Sequence, residues 1–311
     1  MRFSSLVAGV SASVAAVVAA VMASAQDALQ GLELVGKPIS GNMGFQPAVT
    51  SVSRDLQWLD GMLLYACIAI VAFVTLLLAV VAIRFNRRTN PTPATFTHNS
   101  PLEITWTIIP IIILVFIGAF SLPVLFAEQE IPKADLTIKA TGHQWYWSYE
   151  YVDSGFGFDS FLVDGSTKVA SLGDSQPMGT PGVLDATAKL KLEALGYTAS
   201  EFLLATDTAV VVPVNKIVVM QLTGADVIHG WYVPAFGVQQ SAVPGRLSEL
   251  WFNAEKEGVY FGQCTSLCGK SHAYMPITVK VVSQPVYDAW LAGAKAEFAG
   301  TPLPLEVADN N

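Results

Sequence analysis

The chain has 311 residues, 52% of them hydrophobic and 14% charged, with a formal net charge of −8 and a mean hydropathy of +0.46. An acidic chain this poor in basic side chains excludes nucleic acid as a partner, and the apolar excess points to a membrane. The apolar residues collect in three runs, and the rest has the composition of an ordinary soluble domain.

The first run opens the chain. Met1-Arg2 supplies a positive charge, residues 6–22 are small and apolar, and Ala23-Ser24-Ala25 has the form of a cleavage site. Residues 1–25 therefore read as a secretory signal peptide, with a mature exported segment over 26–60. The second run, 61–83, carries no charge over 23 residues, and the third, 104–127, none over 24. At ~1.5 Å per residue each reaches across a ~30 Å hydrocarbon core, so both are predicted to span as helices. Arg84, Arg87 and Arg88 mark the loop 84–103 between them as cytoplasmic, which puts both flanking segments outside. Pro110 and Pro123 lie inside the second span and are expected to kink it or mark its packing.

From 128 to 283 the period changes to that of strands. "LTIKATGHQWYWSYEY" alternates, with Trp145, Trp147, Tyr149 and Tyr151 on one face. "AVVVPVNKIVVMQLTG" reads as two strands, and "LSELWFNAEKEGVYFGQC" as a hairpin turning at Glu255–Gly258. "PITVKVVS" supplies another. Strands at this spacing suggest a sandwich or barrel. Residues 155–200 read as an inserted excursion containing a short helix closed by Gly196. A C-terminal amphipathic helix and polar tail occupy 284–311. Between 128 and 283 there are sixteen acidic and ten basic side chains, a balance that gives solubility and suits a basic partner; acids near the loop described next, such as Asp226, would steer it.

That loop is "YFGQCTSLCGKSHAYMPITV", which places Cys264, Cys268, His272 and Met275 within twelve residues. Helical spacing would make them one buried stripe, but Gly269 and Pro276 break a helix here. A Cys264–Cys268 disulfide suits an exported chain but leaves His272 and Met275 unexplained, and zinc seldom takes a thioether. Thiolate, imidazole and thioether together form the set that selects copper. A mononuclear blue-copper site needs one cysteine, so the second points to a second metal, both bridged by the thiolates. One more imidazole is required, and His229 in "GADVIHGWYVP" is the natural supplier, with a backbone carbonyl between the cysteines completing the set. Sharing one electron over two metals suits electron transfer rather than bond-making.

The pattern C-x3-C-G-x2-H-x2-M-P, together with "DVIHGW", "GHQWYWSYEY", "VPGR" and the two-span hairpin, resembles subunit II of bacterial haem–copper cytochrome c oxidase over about 40–283, the insertion excepted. The resemblance implies a membrane-anchored all-β protein: a two-helix hairpin followed by a cupredoxin-like barrel in the periplasm, held in the bacterial inner membrane as a multi-pass chain. It implies a binuclear CuA centre, one copper taking His229 and Met275, the other His272 and the backbone carbonyl of Ser266, with Cys264 and Cys268 bridging. It implies that Trp145 receives electrons from cytochrome c, that Glu103 opens a proton path, and that oxidase subunits I and III are partners. Ser266 stands where the family has a glutamate whose carboxylate holds magnesium or manganese at the subunit I contact, which puts that ion in doubt.

Function follows from the cysteines. A quinol oxidase subunit would lack them, and nitrous oxide reductase carries the copper motif without this hairpin. The alternative from another class is a membrane-tethered copper storage or delivery protein, which would favour exposed Met/His clusters absent from this sequence. Electrons would pass to haem in subunit I for oxygen reduction coupled to proton pumping, since the four histidines, 98, 143, 229 and 272, cannot ligate haem once two are on copper.

Overall fold

The computed structural model describes residues 29–298. The expected signal peptide, 1–25, and the end of the polar tail lie outside the described residues. The chain divides into a helical unit, 54–130, and a second unit comprising the remaining described residues.

The helical unit is built on α1 (Ser51–Arg84) and α2 (Ser100–Gln129), 34 and 30 residues long and apolar enough to cross a membrane. Both outrun the charge-free stretches because polar residues at their ends satisfy the terminal backbone groups. At the end of α1, Asn86 donates its side-chain amide to the carbonyls of Ala82 and Ile83. Asn99 caps α2, its Oδ1 accepting from the N–H of Leu102, while Glu103 reaches back to accept from the N–H of Asn99. Pro110 and Pro123 are accommodated within the continuous helix. Trp58 of α1 meets Phe120 of α2 with ring centroids 5.9 Å apart.

The other unit carries two sheets. Its strands are β1 (Leu34–Gly36), β2 (Leu136–His143), β3 (Tyr146–Tyr151), β4 (Phe156–Ser160), β5 (Val210–Pro213), β6 (Ile217–Gly224), β7 (His229–Val233), β8 (Val238–Ala242), β9 (Ser248–Asn253), β10 (Gly258–Cys264) and β11 (Pro276–Val282). One sheet runs β5-β11-β10-β7-β8 with β1 added alongside β10, and the other runs β4-β3-β2-β6-β9. Ile138, Ala140, Trp147, Tyr149 and Tyr151 from the second sheet and Trp231, Val233, Tyr260, Ile277 and Val279 from the first share one core, which gives the cupredoxin-like domain its two layers. Two phenols tie the layers. Tyr149 accepts from the Trp231 indole N–H at 3.2 Å, and the Tyr151 hydroxyl both donates to the carbonyl of Val211 and accepts from its N–H, at 2.7 and 2.9 Å.

Three expectations change. The stretch 136–151 is a hairpin, β2 turning into β3 at Gln144-Trp145, so Trp147, Tyr149 and Tyr151 share the buried face and Trp145 does not. The pair β9 and β10 is no hairpin. β9 pairs with β6 and β10 with β11 and β7, so 254–257 carry the chain from one sheet to the other. Alternation cannot separate these cases, but burial does: Val259 and Phe261 pack on one side of β10 and Tyr260 on the other, as a mid-sheet strand requires. Lastly, Phe156–Ser160 is a sheet strand, so the excursion begins only after it. It contains α3 (Ala186–Ala194) and its own small core of Val163, Leu192, Tyr197 and Ala205 against Val259 and Phe261. The C-terminal helix, α4 (Gln284–Phe298), lays Trp290 against Tyr151 and Phe298 against Phe158, ring centroids 5.2 and 5.3 Å apart.

Candidate metal centre

Strand pairing brings three separate loops to one end of the second unit. β2 and β6 are parallel, with Gly142 opposite Gly224, so the Gln144-Trp145 turn and the segment leading through Asp226 to His229 leave the sheet together. β10 pairs antiparallel with β7, placing Cys264 opposite Trp231. His229 lies two residues further along β7 and therefore on the same face as Cys264. The loop 265–275 then returns to β11, the antiparallel neighbour of β10.

The donor atoms converge. Cys264 Sγ lies 4.0 Å from Cys268 Sγ and 4.0 Å from His229 Nδ1. Cys268 Sγ lies 3.5 Å from His272 Nδ1 and 3.5 Å from Met275 Sδ. The carbonyl oxygen of Ser266 is 3.3 Å from Cys264 Sγ. His229, Cys264, Cys268 and Met275 are buried and His272 half-buried. Two sulfurs thus sit between two imidazoles, a thioether and a carbonyl, and His229, Cys264 and Cys268 form a compact cluster able to hold a metal ion. Cys67 lies far along the chain, exposed on α1.

The ionisable donors are shifted in different directions. Burial would raise the Cys264 thiol, but His229 beside it and the N–H of Gly230 bring it below the usual thiol range. Burial and the neighbouring Cys264 push Cys268 the other way, up to about 12. Burial opposes charge on His229, yet Cys264 and Asp226 together hold its pKa above the ordinary imidazole value. Metal binding must therefore displace the proton of Cys268.

Outside the donors, two residues that sequence reasoning left without a role in the site tie it together. Asp226 Oδ1 is 2.8 Å from His229 Nε2, and its Oδ2 accepts from the N–H of Gln144 at 2.8 Å. Asp226 is thus engaged in orienting an imidazole, and the bond leaves His229 Nδ1 turned to the Cys264 sulfur. The Gln144 side chain donates to the carbonyl of Cys268 at 2.7 Å, and the Trp145 indole N–H donates to the same oxygen at 3.2 Å. Trp145 is half-buried, with the Lys270 ammonium 5.5 Å over its ring. Gly142 permits the packing: a Cβ there would come within 2.7 Å of the His229 ring. The glycine beside the histidine in "GHQW" was the available signal. Glu103 belongs to the helical unit, where its carboxylate closes the N-terminus of α2.

The chain is similar to known proteins over most of its length. The description "Cytochrome C oxidase subunit II, periplasmic domain" matches residues 136–176 and 186–282, and "Cytochrome C oxidase subunit II, transmembrane domain" matches 38–124. Cytochrome c oxidase subunit 2 of Cereibacter sphaeroides is 56% identical over 295 residues, covering 95% of this chain and 93% of that one. Probable cytochrome c oxidase subunit 2 of Rickettsia bellii is 41% identical over 257 residues, covering 82% and 85%. Among solved structures, the periplasmic domain of subunit II of the Bradyrhizobium japonicum cytochrome oxidase is 45% identical, covering 55% of this chain and 100% of that one, with a TM-score of 0.42.

Proposed function

The chain belongs to the cytochrome c oxidase subunit II family, and from that premise we propose that it receives electrons from reduced cytochrome c and passes them to haem in subunit I of a proton-pumping oxidase. The observation that carries this reading is the convergence of two thiols, two imidazoles and a thioether, with Trp145 hydrogen-bonded to the backbone of one of the cysteines. The donor set fits copper, which accepts sulfur and imidazole together. His229 and Met275 would hold one ion, His272 and the carbonyl of Ser266 the other, with Cys264 and Cys268 between them. When bound, such a binuclear CuA centre supplies a one-electron relay.

The chain's own residues do the rest. Asp226 fixes the His229 ring, and burial of the sulfurs keeps water from them. Trp145 sits on the Cys268 carbonyl and is the side chain through which an electron would arrive. The acidic balance of the domain suits the basic face of a cytochrome c. Glu103 would open the proton path, and its engagement with the α2 N-terminus keeps it at the end of the span. The two apolar helices anchor the chain in a membrane. The bacterial inner membrane, with the β unit in the periplasm and subunits I and III as neighbours, completes the proposal. Serine at 266 keeps the carbonyl and removes the carboxylate that a magnesium or manganese ion would use.

The test is copper content and electron uptake in the assembled oxidase. Two tightly held coppers per chain and rapid reduction by cytochrome c are expected. A single labile copper would point instead to delivery or storage and overturn the reading.

A further inference from the structure

Within 136–282 the family description passes over residues 177–185, and the structure folds them into a densely bonded knot against the metal loop. Asp164, buried, accepts on Oδ1 from the N–H groups and hydroxyls of Ser166 and Thr167 and on Oδ2 from the N–H of Gly182 at 2.6 Å. Asp185 accepts from Thr180 N–H and, as the cap of α3, from Ala188 N–H, both at 2.8 Å. The wholly buried Lys191 donates to the carbonyls of Gly165 and Thr167 at 2.8 and 2.6 Å. All of these bonds but the two from the hydroxyls of Ser166 and Thr167 fix backbone, so the knot is stiff.

Its outer edge is Gly182, at φ +68, where a Cβ would stand 3.0 Å from Cε1 of the Tyr274 ring. Tyr274 lies between His272 and Met275 in a single turn that has no side-chain cap of its own. On the far side of Met275, the other end of the excursion grips β11. Thr206 N–H donates to Thr278 Oγ1 at 3.1 Å, and that hydroxyl donates to the carbonyl of Leu204 at 3.3 Å. Met275 is therefore held from both sides in sequence by the same excursion.

We infer that the excursion 161–209 is a brace for the metal loop, in which Asp164 and Gly182 are positioning residues that seat the Tyr274 ring and thereby set where His272 and Met275 stand. This rests on the copper reading of the site. A thioether ligand is weak and its distance tunes a copper centre, so a loop with few internal bonds gains from an external platform. Tyr274 is exposed on its other side, and displacement of its ring is transmitted to the residues on either side through the single turn that carries it.

The experiment uses the full chain in the assembled oxidase and reads the copper absorption and paramagnetic spectra and the rate of copper loss to a chelator. Gly182→Val and Tyr274→Ala should each shift the spectra and speed copper loss by about tenfold, the low end for removing outer support of a metal ligand. The double variant should be no worse than the more affected single, because both break one contact. Tyr274→Phe, which keeps the ring, should behave as wild type. Where Gly182→Val does not assemble, Tyr274→Ala against Tyr274→Phe decides. Wild-type spectra in all variants, or effects that add in the double, would overturn the brace. A wild-type chain that binds no copper would overturn the copper reading itself.

Discussion

The indole N–H of Trp145 donates to the backbone carbonyl of Cys268 at 3.2 Å, so an aromatic ring at the domain surface is one hydrogen bond from a buried sulfur residue. Trp145→Ala should slow reduction by cytochrome c by at least roughly tenfold, equivalent to about 1.4 kcal/mol of barrier, while association and its salt dependence stay as they are. Trp145→Phe, keeping an aromatic ring and losing the indole N–H, should fall between. Stopped-flow mixing over a range of salt separates rate from affinity, and a change in affinity alone would sink the assignment.

Cys264→Ser and Cys268→Ser should each abolish the binuclear copper spectrum, since one remaining thiolate cannot bridge two ions in the arrangement described. Cys67→Ala, on α1, should leave copper content unchanged. Metal analysis with electron paramagnetic resonance on the three variants decides.

Asp226 holds both His229 Nε2 and Gln144 N–H. Asp226→Ala should therefore weaken copper retention by about 10–100-fold, a larger effect than any change in the salt dependence of cytochrome c binding. Competition with a chelator, run beside binding at two ionic strengths, distinguishes the two roles.

Ser266 offers a carbonyl but no carboxylate, and a hydroxyl is a poor ligand for magnesium or manganese, which favour carboxylate and water oxygens. Ser266→Glu should raise manganese occupancy of the assembled oxidase with little change in the copper spectrum. Full manganese occupancy in the wild type would show that the carboxylate is dispensable.

Asp207 gives a pH dependence outside the metal centre. Burial raises its carboxyl to about 7, against N–H bonds from Phe161 and Thr208 that favour the charged form. The folded chain thus holds a proton that the unfolded chain releases near pH 4, so stability falls as pH rises from about 4 to about 7. Asp207→Asn retains the acceptor oxygen and should be neutral near pH 4 but stabilising at pH 8, on the order of 1–2 kcal/mol after allowing for its partial exposure. Thermal melts of both forms at the two pH values check the sign.

Much of this was legible in the sequence because chemistry and periodicity are local. The charge-free runs mark the two helices, and the donors Cys264, Cys268, His272 and Met275 fall in one short segment. His229 could be sought because the loop offers one imidazole, His272, where two are needed. What was not legible depends on which strand neighbours which. The crossing at 254–257 looks like a hairpin turn because Glu255, Lys256 and Glu257, followed by Gly258, suit either. Asp226 read as a surface acid because nothing local shows that parallel pairing of β2 and β6 carries it to Gln144. The 155–200 excursion looked detached, since the contact between Gly182 and Tyr274 joins residues with no common pattern.

The Tyr151 hydroxyl, which exchanges two hydrogen bonds with Val211, closes the outer side of β5 at the middle of that strand. β5 is the last strand of its sheet, and an open margin of this kind ordinarily invites a foreign strand to zip on. Here a phenol occupies the docking position that a stranger's backbone would need. The margin is sealed from within by a residue of the opposite layer, so β5 offers no free backbone pair at Val211 to a second chain's strand.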